Sequence, residues 1–204
     1  MTIIAAADGS ALGNPGPAGW AWYVDEDCWA AGGWPESTNN RGELTAVLEL
    51  LRATAGTGED LLIQADSQYV INSLTKWRHG WKKRGWRKAD GKPVLNDDLM
   101  KALDAALAGR TVRFEWVRGH VGHPLNEAAD SRARAAATAY QQGAAVPAGP
   151  GWPGAGGDAG GARGSVTAGA EGSESSAASS DAEVVPGATA ARRARLRQDE
   201  GMLF

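Results

Sequence analysis

Apolar and polar positions over the first 140 or so residues fall into patterns that predict a mixed set of strands and helices. Thr2 to Ala7 is a short apolar run stopping at Asp8, the pattern of a strand with a carboxylate at its C-terminal end. Gly13-Asn14-Pro15-Gly16-Pro17 is turn chemistry. Trp20 to Val24 and Cys28 to Trp34 flank the polar Asp25-Glu26-Asp27, so the first three strands are expected to be antiparallel neighbours. Leu44, Val47, Leu48 and Leu51 recur at i, i+3, i+4 and i+7. That spacing predicts a helix to about Thr54, capped by Asn39 or Asn40, with Glu43 in its first turn. Leu61 to Ala65 reads as a strand ending at Asp66, and Ser67 as the cap of a helix through Val70, Ile71 and Leu74. Asn96 is the expected cap of a further helix with Leu99, Leu103 and Leu107 inward. Thr111 to Val117 alternates Val112, Phe114 and Trp116 with Arg113 and Glu115, a half-buried strand. A last helix runs from about Leu125 to Tyr140, with Asp130 in its first turns. The order predicts an α/β domain: a five-stranded mixed sheet, an antiparallel meander extended by strands reached through helices.

Composition then divides the chain. Residues 1–143 hold the large apolar side chains, and 144–204 are dominated by Ala, Gly, Ser, Pro and charge. A stretch so poor in apolar residues cannot offset its ordering entropy, so 144–204 is expected to be a disordered tail. The formal net charge is -3, which gives no hint of a nucleic-acid partner. Its distribution does: Lys76, Arg78, Lys82, Lys83, Arg84, Arg87, Lys88 and Lys92 crowd one segment around a single acid, Asp90. Cys28 is the only cysteine, so no internal disulfide can form. No basic n-region precedes an apolar h-region and no run is long enough for a membrane span, so a cytoplasmic monomer without membrane contact is expected.

Four acids stand where chemistry would need them. Asp8 and Asp66 each follow an apolar strand directly, Glu43 opens a helix, and Asp130 sits early in the last one. Hard divalent cations prefer such oxygens, and a pair of ions can stabilise both the attacking and the leaving oxygen of a phosphoryl displacement. Taken singly, each acid could equally be a solvated charge or a helix-end acid favoured by the macrodipole. Spacing alone therefore reaches a carboxylate-metal hydrolase and no further.

The motifs go further. Asp8-Gly9-Ser10 with Gly13 to Gly19, Thr38-Asn39-Asn40-Arg41-Gly42-Glu43-Leu44, Ala65-Asp66-Ser67-Gln68-Tyr69-Val70, and Gly119-His120-Val121-Gly122-His123 through Asp130 occur in this order. Together they resemble the four motifs of bacterial type 1 ribonuclease H, over about Thr2 to Tyr140. The resemblance implies an enzyme that cuts the RNA strand of RNA–DNA hybrids. It implies that Asp8, Glu43, Asp66 and Asp130 hold two Mg²⁺ ions (or Mn²⁺), with Asp8 touching both. A water would attack phosphorus and leave 5′-phosphate and 3′-hydroxyl ends. His120 matches the family's mobile histidine, assisting proton handling or product release, and His123 is structural. Transposases and integrases on the same superfold lack this combination of motifs.

For the hybrid, the resemblance points to Gly9, Ser10, Asn14, Asn39, Asn40 and Gln68 near the RNA 2′-hydroxyls, and to Thr38 as part of a pocket for a DNA phosphate. Asn14 also reads as a turn residue and Asn39 or Asn40 as a cap, and neither role excludes contact. Trp77 to Lys88 resembles the family's basic protrusion, in which Trp77, Trp81 and Trp86 would pack on deoxyribose while Lys82, Lys83 and Arg84 meet DNA phosphates. Trp77 and Trp81, four apart, could instead be core. Two departures stand out: Gly80 occupies a position where well-known members carry an Asn that helps to hold a DNA phosphate, and Gly42 puts the start of the first helix in doubt. The segment Arg192–Phe204, basic, then acidic, then apolar, has the look of a short peptide ligand for a replication protein, either a sliding clamp or a single-strand-binding protein.

Overall fold

Strands β1 (Thr2–Ala11), β2 (Gly16–Asp25) and β3 (Cys28–Ser37) form the expected antiparallel meander. Helix α1 (Asn39–Ala53) leads to β4 (Asp60–Ala65), which pairs parallel with β1. Next come α2 (Gln68–Asn72), a π-helical turn (Ser73–Trp77), α3 (Arg78–Lys83) and α4 (Asp97–Leu107). Strand β5 (Val112–Trp116) pairs parallel with β4, and α5 (Pro124–Gln142) follows. The five-stranded mixed sheet has the order β3-β2-β1-β4-β5. This is a computed structural model, and it describes residues 1–119 and 121–153.

The strand period of two sends alternate residues to two separate cores. Ala5, Ala7, Trp22, Leu61 and Ile63 meet α1 and α4 on one face, through Leu44, Val47, Leu48, Leu51, Met100 and Leu103. Ala6, Ala21, Tyr23 and Ala31 meet the small residues Ala129, Ala133 and Ala136 of α5 on the other. Among the described residues no helix is long and apolar enough to cross a membrane.

Several local expectations are corrected. Strand β1 does not stop at Asp8. It continues to Ala11, because Gly9, Ser10 and Ala11 still pair with Trp20, Gly19 and Ala18 of β2. Helix α1 is capped by Thr38, whose Oγ1 accepts from the Arg41 N–H at 3.3 Å, rather than by Asn39 or Asn40. Glu43 thus lies in the second turn. Asn96 holds the cap position of α4 in a left-handed conformation without a side-chain cap bond, and its Oδ1 accepts from Arg41 Nη1 instead. Trp116, expected inward, is 50% exposed.

The boundary after residue 143 is also too early. Val146 packs against the α5-side core and Trp152 against the opposite one, 6.5 Å from Trp22 between ring centroids. Between them, Ala148 O accepts from the Ala31 N–H, and the Gly151 N–H donates to Trp29 O. Residues 146–152 therefore wrap the outer edge of β3 from one face of the sheet to the other. Low average hydrophobicity hid two anchors, Val146 and Trp152. The rest of the expected tail lies outside the described residues.

Candidate active site

The site forms where β1 and β4 part. Parallel pairing between them ends at Ala6 and Gln64, while β1 runs on beside β2 as far as Ala11. Beyond Ala6 the β4 side of β1 is therefore open, and Asp8 and Asp66 stand on either side of the gap. Glu43 is brought in by a direct backbone contact. A Cβ on Gly9 would overlap the Glu43 nitrogen and the Gly42 carbonyl carbon, and one on Gly42 would overlap Gly19 O. With no side chains between them, α1 lies directly on β1 and β2. This close approach accounts for a glycine inside the helix. Asp8, Glu43 and Asp66 each offer a carboxylate oxygen, and these lie within 4.8 Å of one another.

Such a grouping is costly for three like charges, two of them largely out of water. Asp8 is 4% exposed and Glu43 is 5% exposed. Burial first, then the Asp66 charge, push the Asp8 carboxyl up to about 8, against the pull of the Gly9 N–H that donates to its Oδ1 at 2.7 Å. Glu43 is raised well above the usual carboxylate range by burial and then by the Asp8 and Asp66 charges. Its Oε1 accepts from Asn39 Nδ2 at 3.3 Å, and its Oε2 is buried with no partner. A buried, partnerless carboxylate oxygen beside two more acids lacks positive charge. Hard divalent cations, which bind carboxylate oxygens, fit that need, so the donor set suits them.

An open depression of about 460 Å³ contains all four predicted carboxylates together with Gly9, Ser10, Ala11, Asn39, Ser67 and Arg134. Asp130 is not in the tight group of three, but it lines the same depression and its charge raises both Asp8 and Glu43. Sequence reasoning missed Ser67 and Arg134 as lining residues. Ser67 was legible only as the cap of α2, where its Oγ accepts from the Val70 N–H. The signal for Arg134 was its place one helical turn after Asp130, on the same face.

The other predicted residues are spread more widely. Asn14 Oδ1 accepts from the Asn39 N–H at 3.4 Å, so the β1–β2 turn reaches the start of α1. Thr38, Asn40 and Gln68 lie near the helix starts but do not line the depression. In the basic segment Tyr69, Trp77 and Trp81 form a ladder with centroid spacings of 6.3 and 5.7 Å. Trp81 and Trp86 pack partly on the core, whereas Trp77 is 41% exposed. Lys83 and Arg84 are exposed. Lys82 and Arg78 both pair with Asp104. His120 and Arg192–Phe204 lie outside the described residues.

A profile of the RNase H family matches residues 2–138. The chain belongs to the ribonuclease H family. It is 60% identical over 148 residues to the ribonuclease H of Tropheryma whipplei strain Twist, covering 72% of this chain and 92% of that one. It is 50% identical over 146 residues to the ribonuclease H of Anaeromyxobacter dehalogenans, covering 66% and 79%. Among solved structures it is similar to LC9-RNase H1, a type 1 RNase H, with a TM-score of 0.58 and 30% identity over 74% of this chain and 77% of that one. The depression where β1 and β4 part is thus the candidate active site of this family member.

Proposed function

We propose that this RNase H hydrolyses the RNA strand of RNA–DNA hybrids without marked sequence preference. Asp8, Glu43, Asp66 and Asp130 hold two Mg²⁺ ions, for which Mn²⁺ can substitute, and the products carry 5′-phosphate and 3′-hydroxyl ends. The observation that carries this is the set of three carboxylate oxygens within 4.8 Å, one belonging to a residue with a buried, partnerless oxygen. Divalent cations held there supply charge to the attacking and departing oxygens of an in-line displacement. Water forms the new P–O bond as the P–O3′ bond breaks, and the 3′ oxygen takes up a proton.

The protein's own part is to hold and to orient. Asp8 is fixed by the sheet on its β2 side and by the Gly9 N–H. Ser10, Asn39 and the backbone at Gly9 line the depression and can meet a 2′-hydroxyl, which both donates and accepts. Arg134 adds a cation on the α5 side for a substrate phosphate. Lys83 and Arg84, exposed on the same segment as the half-exposed Trp77, suit a phosphate–sugar backbone and carry no base information. His120, adjacent in sequence to Gly119, takes the proton-handling role that the family resemblance gives it. A cytoplasmic setting, and a replication protein as partner of Arg192–Phe204, complete the proposal.

The test is cleavage of labelled RNA–DNA, RNA–RNA and DNA–DNA duplexes with Mg²⁺ or with EDTA. Only the hybrid with Mg²⁺ should be cut, and Asp8→Asn, Glu43→Gln and Asp66→Asn should each abolish cutting while leaving the fold intact. Near-wild-type cutting by any of the three would end the proposed site.

A further inference from the structure

Strand β4 ends at Ala65, so Asp66 has left the sheet and its main chain needs other partners. The stretch just after β5 supplies them. The Val117 N–H donates to Ala65 O at 3.1 Å. Trp116 Nε1 donates to Asp66 O at 3.0 Å. A Cβ placed on Gly119 would overlap Asp66 Oδ2, and its three nearest neighbours would all be side-chain atoms of Asp66. Three positions within four residues therefore fix the peptide before Asp66, its own carbonyl, and the space its carboxylate occupies.

These contacts also explain two features that packing does not. Trp116 shares a strand face with Val112 and Phe114, which pack against the core, but it is 50% exposed. A large apolar ring at a strand end gains little from burial there, and what it contributes is its N–H. Gly119 is not in a left-handed turn that would call for glycine, since its φ is not positive. What it gives is room for an oxygen.

We infer that Trp116 and Gly119 are positioning residues for Asp66, aiming its carboxylate at the cation site. This rests on the metal-dependent site proposed above. Residues that orient a ligand without touching the ion commonly set metal affinity by about 10–100-fold. A methyl at position 119 would meet a movable carboxylate end first, so it should turn Asp66 away and leave the fold standing. Trp116→Phe keeps an aromatic ring and removes the donor. Gly119 directly precedes His120, so a shift of that loop would move a cation ligand as well.

The experiment uses the full chain. Mn²⁺ binding without nucleic acid is measured by titration calorimetry for the wild type, Asp66→Asn, Gly119→Ala and Trp116→Phe, alongside urea unfolding and hybrid cleavage. Gly119→Ala should weaken Mn²⁺ binding about tenfold, and Trp116→Phe by a smaller factor. For both, the urea midpoint in EDTA should stay near wild type, KM for the hybrid should hold, and kcat should recover at high Mn²⁺. Wild-type Mn²⁺ affinity in both variants would overturn the inference while leaving the metal site standing. If the wild type binds Mn²⁺ no better than Asp66→Asn does, the metal site itself fails and the positioning role falls with it. Should Trp116→Phe not fold, Gly119→Ala decides alone.

Discussion

Asp104 on α4 accepts from Lys82 at 2.6 Å, and its other oxygen accepts from Arg78 at 2.9 Å. Burial would raise the Asp104 carboxyl, but Lys82 and Arg78 outweigh it and hold it below its usual range. One acid on the body of the domain thus anchors the base of the basic segment and occupies two of its cations. Lys83 and Arg84 remain exposed. Neutralising Lys83 and Arg84 together should therefore raise KM for the hybrid and flatten its dependence on salt by roughly 0.9 in log–log slope for each phosphate no longer neutralised. Lys82→Ala alone should flatten it less. Equal effects at positions 82 and 83, measured by fluorescence anisotropy across a salt series, would show that Asp104 releases Lys82 on binding.

Asn39, an expected substrate contact, is bonded to Glu43 one turn along α1. That bond favours the ionised carboxylate, opposing the burial that raises Glu43. Asn39→Ala should then do two things. It should raise KM modestly, and it should move the rising limb of the pH–rate profile to higher pH, because Glu43 would ionise later. A KM change with an unmoved limb would leave Asn39 only its substrate role.

Without cations the protein should become less stable as pH rises. Asp8 ionises at about 8 in the folded chain, against a usual value of about 4 for an unfolded aspartate. The folded state therefore binds more protons between these values, so stability is highest below pH 4 to 5 as far as this group is concerned and declines until about 8. Glu43 acts in the same direction. The depressed Asp98 and Asp104 act oppositely, but only in acid below their usual range, so the window from pH 5 to 8 belongs to the buried pair. Urea midpoints in EDTA should fall across that window and Asp8→Asn should remove much of the fall. Saturating Mg²⁺ should flatten it, since the cation replaces the protons. A flat profile in EDTA would contradict the electrostatics of the site.

The wrap at β3 should be part of the folding unit. A chain ending after residue 143 loses Trp152 and the two backbone bonds to β3. It should be less stable by about 2 kcal/mol, below the usual range for removal of a large aromatic because Trp152 is only partly buried. A chain ending after residue 153 should match the full protein in its denaturation midpoint. Equal stability of both truncations would show that the wrap adds nothing.

Much of this was legible in the sequence, and the misses have physical causes. The face Leu44, Val47, Leu48 and Leu51 is buried as its spacing demands, and Asp66 does follow β4 directly. The strand end at Asp8 was misplaced because an apolar run and a hydrogen-bonded strand are different things: Gly9 and Ser10 add no hydrophobicity but keep their ladder partners in β2. Trp116 was misread because alternation tells which way a side chain points, not whether anything lies above it. The Gly9–Gly42 contact between β1 and α1 left no periodic trace, since what marks it is missing side chains.

Because residues 148–151 already occupy the first part of the outer β3 rim, foreign strands find few free amide and carbonyl groups there. Five-residue β5, at the opposite margin, is too short to template much. A protein built this way should resist cross-chain β-pairing at high concentration, and removing the covering segment should expose it to aggregation as much as to unfolding.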